Sequence, residues 1–158
     1  MNDSTVFVRG PFESLSSRRS ASLPGRIGVI TEGAIERLVR CFYVKVRGNA
    51  ELGPVFDAIV APEGWEPHMA VMRDFWSSVV LGTGRYKGNP LAVHSRIPTL
   101  RPDMFETWLR LFSETADEIF DRELAALLRD KAGRIAQSLQ SGLFYRPELV
   151  APAAAERT

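Results

Sequence analysis

The stretch EGWEPHMAVMRDFWSSVVL, residues 63–81, places a histidine on the apolar face of an amphipathic helix. Its apolar residues recur at the three- and four-residue spacing of a helix, and Pro67 falls in the first turn, where proline is tolerated. We expect this helix to begin between Glu63 and Glu66 and to end near Leu81, before the turn that starts at Gly82.

The two faces of this helix differ in chemistry. The face predicted to point inward consists of Trp65, His68, Met72, Phe75, Trp76 and Val79. The face predicted to be solvated is marked by Arg73, Asp74 and Ser77. A histidine on the apolar face must either be hydrogen-bonded or face a cavity, because an unpaired polar group is costly to bury.

His94, the second of only two histidines, lies in the short proline-bounded segment from Pro90 to Pro98. Neutral imidazole is the commonest protein ligand for a transition metal. Two histidines on neighbouring segments of an aromatic-rich chain suggest a flat cofactor held between them. The alternative is one core histidine and one surface histidine.

The rest of the chain favours a helical fold. Thr31 is a plausible N-cap for a first helix that runs to about Arg47 and is closed by Gly48. Residues 48–56 form a corner or short helix, residues 91–96 form one or two turns, and long helices span about 103–120 and 122–144. The apolar period is helical throughout, so the predicted class is all-α.

Inward-facing residues follow from the same period. In the first helix Tyr43 joins the apolar stripe, and its hydroxyl needs a partner there. The predicted inward residues of the last two helices are Met104, Trp108, Leu111, Phe112, Thr115, Ile119, Phe120, Leu124, Leu127, Leu128, Ile135, Leu139 and Leu143.

Composition narrows the class of protein. The 158 residues are 45% hydrophobic and 25% charged, as in a soluble globular domain. Because 20 Lys and Arg balance 19 Asp and Glu, no bulk charge favours nucleic acid or a membrane surface. One cysteine, Cys41, excludes an internal disulfide, which fits a reducing, cytoplasmic location. No apolar run approaches the length needed to span a bilayer.

The predicted domain organisation has three parts. Residues 1–26, rich in Ser, Arg and Pro, are expected to form a flexible extension, and residues 147–158 a flexible tail. The folded domain is therefore predicted to span residues 27–146.

An apolar slot between the two histidines would suit haem, whose faces need apolar contacts and whose iron needs one imidazole. Polar groups from separate segments would then converge on a bound gas molecule: the Tyr43 hydroxyl, the Trp108 indole N–H and His68. Each of these three could instead be a core residue bonded to backbone.

The chain resembles the truncated haemoglobins of bacteria, specifically their third group. The resemblance covers roughly residues 30–145, with its motifs in the same order. The matching residues are Phe42-Tyr43, Leu52-Gly53-Pro54-Val55-Phe56, Trp65-Glu66-Pro67-His68, Phe75-Trp76, Gly84-Arg85-Tyr86-Lys87-Gly88-Asn89-Pro90, His94 and Trp108-Leu109-Arg110-Leu111-Phe112. The resemblance implies the truncated globin fold, a two-over-two helical sandwich around one haem b.

The resemblance also assigns roles to individual residues. His94 matches the proximal histidine that binds iron, and Tyr43, His68 and Trp108 match residues of the distal side. Phe56, Met72, Phe75 and Trp76 match residues that contact haem. Arg85, Lys87 and Arg96 are candidate partners of the haem propionates by proximity alone, and the alternative of a solvated surface charge is favoured for each.

Three functions follow as hypotheses. The first is tight, reversible binding of O₂, NO, CO or similar ligands, because two distal donors would slow O₂ release by roughly tenfold to several hundredfold. The second is a haem enzyme that handles nitric oxide or peroxide. It needs an external reductase, since the chain has no dinucleotide-binding GxGxxG motif. The third is a haem-free helical interaction domain. We expect a monomer or a weak dimer.

Overall fold

The computed structural model describes residues 25–145, which form six α-helices. The helices are α1 (Glu32–Gly48), α2 (Leu52–Ile59), α3 (Trp65–Leu81), α4 (Pro90–His94), α5 (Pro102–Ile119) and α6 (Arg122–Phe144). A 3₁₀ turn, Pro62–Gly64, precedes α3. Within this range the only extended pairing is an isolated bridge between Ile27 and Phe120, so the all-α prediction is confirmed.

The helix ends follow from local capping. The Thr31 side chain accepts the Ala34 N–H at 3.1 Å, and Asp121 accepts the Leu124 N–H at 3.1 Å. These bonds satisfy backbone donors that a helix start leaves free. α3 ends before Gly82, which adopts the left-handed conformation at φ 66°.

The predicted end of the first helix differs by one residue from the observed end. Gly48 is the last residue of α1 rather than its stop, and Asn49 turns the chain in an extended conformation. The Asn49 side chain then accepts the N–H groups of Glu51 and Leu52, both at 2.9 Å. One amide therefore joins the end of α1 to the start of α2.

The core forms where α1 packs between α3 and α5, and α5 in turn packs along α6. Aromatic rings connect these helices. Phe112 of α5 stacks on Trp76 at 4.7 Å between ring centroids and on Trp108 at 5.5 Å. Phe42 of α1 meets Phe112 edge-on at 5.4 Å. This arrangement fixes the positions of α1, α3 and α5 relative to one another.

Two predictions of side-chain burial are wrong. Ser77 is fully buried rather than solvated, because its hydroxyl donates to Glu32 Oε1 of α1 at 2.7 Å. Leu127 of α6 is 42% exposed rather than inward. The buried residues of α6 include three alanines, Ala125, Ala132 and Ala136, because small residues let α6 approach α5 closely.

The proposed extension and tail lie almost wholly outside the described residues, at positions 1–24 and 146–158. Among residues 25–145, no helix is both long and apolar enough to cross a membrane.

The alanine packing of α6 predicts the effect of added volume. We expect Ala132→Leu to lower the free energy of unfolding by about 1–3 kcal/mol, because Ala132 is fully buried and extra methylenes overpack the core. Ala126→Leu, on the exposed side of the same helix, should change it by less than about 0.5 kcal/mol. Urea unfolding of both variants measures this, and equal effects would contradict the packing described.

Candidate functional site

A cavity of about 210 Å³ opens between the helices and receives side chains from all six of them. Its wall is almost entirely apolar. The lining residues are Tyr43, Leu52, Val55, Phe56, Ile59, His68, Val71, Met72, Phe75, Tyr86, Pro90, Val93, His94, Ile97, Leu100, Met104, Phe105, Trp108, Ile135, Ala136 and Leu139. No charged side chain of the described residues lines it. The cavity therefore suits a ligand with broad apolar faces.

His94 brings one imidazole to this cavity from the last residue of α4. Its Nδ1 lies 2.7 Å from the carbonyl oxygen of Pro90, one turn earlier. Because a carbonyl oxygen only accepts hydrogen bonds, Nδ1 must carry the proton and donate it. In the neutral ring, Nε2 then keeps a free lone pair, which is the form of histidine that binds a metal.

α4 is a short helix of five residues, none of them buried, and it is held by its neighbours. Its N-cap Asn89 accepts the Ala92 N–H at 3.1 Å. Leu91 packs on α6 at Gly142, where a Cβ would lie 2.7 Å from Leu91 Cδ1. A larger residue at position 142 would have to displace the Leu91 side chain, so glycine there favours this contact between α4 and α6.

Tyr43 of α1 and His68 of α3 meet on another part of the wall. Their rings cross nearly at right angles with centroids 5.1 Å apart, and Phe56 and Trp65 enclose them. His68 Nε2 is buried and forms no hydrogen bond within residues 25–145. An unpaired buried nitrogen indicates a site for a further polar group.

Burial also fixes the protonation of these two side chains. It lowers the pKa of His68 below its usual value and raises the pKa of Tyr43 well above its usual value, since both charged forms lose solvation. At neutral pH the cavity therefore holds a neutral imidazole and a protonated phenol. Both can take part in hydrogen bonds without adding charge.

The structure brings together most of the side chains predicted to form the site. Tyr43, Phe56, His68, Met72, Phe75, His94 and Trp108 all line the cavity. Trp76 and Arg96 do not. Trp76 is 1% exposed and stacks on Phe112 in the core, since the apolar face of α3 is broad enough to meet both core and cavity. Arg96 is exposed, as are Arg85 and Lys87.

Sequence reasoning did not single out several wall residues. Tyr86 lies within residues 84–90, which carry part of the family resemblance, but the sequence around it does not indicate that its side chain points inward. Val93, Ile97 and Leu100 follow one another in a segment too short for a clear period. Phe105 lies between Met104 and Trp108, the first two predicted members of the inward face of α5, and the helical period passes over it.

Comparison with known proteins identifies similarity to group III truncated hemoglobins. No family model matches the chain. A curated relative, the group 3 truncated hemoglobin ctb of Campylobacter jejuni, is 34% identical over 117 residues, which cover 73% of this chain and 92% of that protein. The crystal structure of the group III truncated hemoglobin from Campylobacter jejuni superposes with a TM-score of 0.72 at 33% identity. The superposition covers 75% of this chain and 95% of that one.

The buried imidazole predicts a pH-dependent stability. Because the folded-state pKa of His68 lies below 6.5, the unfolded chain takes up a proton first as the pH falls through that value. The free energy of unfolding should therefore decrease below about pH 7, by at most about 1.4 kcal/mol per pH unit for this group. His68→Gln should show a shallower decrease between pH 7.5 and 5.5 in urea unfolding of the haem-free chain. Equal slopes in the two proteins would contradict the desolvation argument.

Proposed function

Because this chain belongs to the group III truncated haemoglobins, it is a haem-binding globin, and we propose that it holds haem b through His94 and binds diatomic ligands tightly. The observation that carries the proposal is the His94 ring in the cavity wall, with Nδ1 bonded to Pro90 and Nε2 left with its lone pair. Family membership disfavours the haem-free interaction domain.

The residues present fit this cofactor. The wall offers apolar contacts from Phe56, Met72, Phe75 and Met104, which suit the faces of a porphyrin. The His94 imidazole, with its free Nε2 lone pair, would bind the haem iron. The unpaired His68 Nε2 suits a distal side that receives a polar ligand. When bound, haem supplies an iron atom that can coordinate O₂, CO or NO.

The distal side chains determine how firmly such a ligand is held. The Tyr43 hydroxyl stays protonated at neutral pH, because burial raises its pKa. It can therefore donate to a ligand. The Trp108 indole N–H also belongs to a residue of the wall, and His68 adds a neutral ring. In a wall without charged side chains, such donors act with little competition from solvent.

The proposal that His94 binds the iron predicts that removing its side chain changes the absorption spectrum and that added imidazole reverses the change. We expect His94→Gly to lose the Soret spectrum of the ferrous wild-type protein, because the imidazole that would bind the iron is gone, and added imidazole should restore it. The absorption spectra of the reduced proteins measure this.

His68→Leu is the matched control, since it removes the other imidazole of the chain. It should keep the wild-type ferrous signature. A His94→Gly protein with an unchanged spectrum would show that another residue holds the iron.

The distal donors predict faster ligand loss when they are removed. Tyr43→Phe and Trp108→Phe should each raise the O₂ dissociation rate by about two- to tenfold, as expected for one lost hydrogen bond. CO dissociation should change less, since CO is a poor acceptor. Stopped-flow measurements of both rates test this, and equal changes for O₂ and CO would indicate a steric effect instead.

A further inference from the structure

Residues 82–89 connect the C-terminal end of α3 to the start of α4, and they contain no helix or strand. No backbone–backbone hydrogen bond joins the residues of this connection to one another in the described structure. Side chains of α3 and α1 bind it instead. These contacts matter because the connection leads directly to the segment that carries His94.

Ser78 forms the first of these contacts. Its hydroxyl donates to the Asp74 carbonyl of α3 at 2.8 Å and accepts the backbone N–H of Tyr86 at 2.9 Å. Both hydrogen-bonding functions of the hydroxyl are therefore used. The bond fixes the backbone of Tyr86 to α3, although the two residues lie eight positions apart.

Ser77 forms the second contact. Its hydroxyl donates to Glu32 Oε1 and lies 2.9 Å from Thr83 Oγ1. Since the Ser77 proton is directed to the carboxylate, Thr83 must donate to Ser77. Arg85 also pairs with Glu32. The start of the connection is thus bound to α3 and to the first turn of α1.

Tyr86 links these contacts to the start of α4. Its ring lines the cavity and meets Phe75 edge-on at 5.1 Å. The phenol end of the ring lies over Gly88, which has no Cβ to displace it. Gly88 directly precedes Asn89, the N-cap of α4, so the position of Tyr86 constrains where α4 begins.

We propose that Ser78 is a positioning residue for His94: by holding the Tyr86 backbone on α3, it sets the path of residues 86–90 and the position of α4 at the cavity. Ser77 supports the same connection at its first residues. This inference rests on the proposed function, because it concerns how the axial imidazole is placed. Ser78 itself does not line the cavity.

The test compares Ser78→Ala, which removes the hydroxyl, with Ser78→Thr, which keeps it, in the haem-loaded protein of 158 residues. Ser138→Ala is the control, since Ser138 is exposed on α6. Three properties are measured: the rate of haem transfer from the ferric protein to an apo-globin acceptor, the iron–histidine stretching band of the ferrous protein, and hydrogen exchange of the Tyr86 amide.

We expect Ser78→Ala to raise the haem-loss rate by roughly two- to tenfold, the size of one lost hydrogen bond. It should also shift or broaden the iron–histidine band and accelerate exchange at Tyr86. Ser78→Thr and Ser138→Ala should match the wild type in all three properties.

If Ser78→Ala loses haem at the same rate as the wild type and its iron–histidine band is unchanged, the inference is overturned, even if the melting temperature falls. Ser78→Thr behaving like Ser78→Ala would also overturn it, because the hydroxyl would then not be the cause. A wild-type chain that fails to bind haem would contradict the proposed function as well. Normal haem binding with an unaffected Ser78→Ala protein would contradict this inference alone.

Discussion

The hydrogen bond from His94 Nδ1 to the Pro90 carbonyl joins two residues of a single helical turn at 2.7 Å. It selects one tautomer of the ring and limits its rotation, so the lone pair on Nε2 is available without any further partner. The acceptor is a neutral carbonyl rather than a carboxylate. The bond therefore orients the imidazole while adding little negative charge to it. In the proposed haem complex, this would favour reversible ligand binding over strong electron donation to the iron.

Tyr43 and His68 have different surroundings from His94. In particular, His68 Nε2 has no hydrogen-bond partner within residues 25–145. Both lie among aromatic rings, and burial disfavours the charged form of each. Leaving His68 Nε2 unpaired costs stability, as does any buried polar group without a hydrogen bond. The stacked core of Trp76, Phe112 and Trp108 helps to offset this cost, because it joins α3 to α5 next to the cavity. The packing that stabilises the fold thus also holds Tyr43 and His68 in position at the cavity wall.

Sequence patterns predicted the helices well where the determinants are local. Thr31 caps α1 as expected, and α6 has the predicted bounds because capping and period both act within a few residues. The errors arise where a residue distant in sequence determines whether a side chain is buried and what it contacts. Ser77 is buried because Glu32 accepts its proton from another helix, and Trp76 faces the core because Phe112 lies there. An apolar face alone does not distinguish a core contact from a cavity contact. The motif resemblance indicated seven residues that line the cavity, since it encodes a tertiary arrangement that periodicity lacks: Tyr43, Phe56, His68, Met72, Phe75, His94 and Trp108.

The short helix α4 has a consequence for the energetics of cofactor uptake. Five residues are too few for a helix to form by itself, and none of those in α4 is buried, so its order depends on contacts such as the Asn89 cap and Leu91 against Gly142. We therefore expect α4 to open locally more readily than the long helices of the cavity wall. If His94 holds the haem as proposed, haem binding and the ordering of α4 would be thermodynamically coupled. The observed haem affinity would then be the affinity of the formed cavity, weakened by the free energy of ordering this one turn.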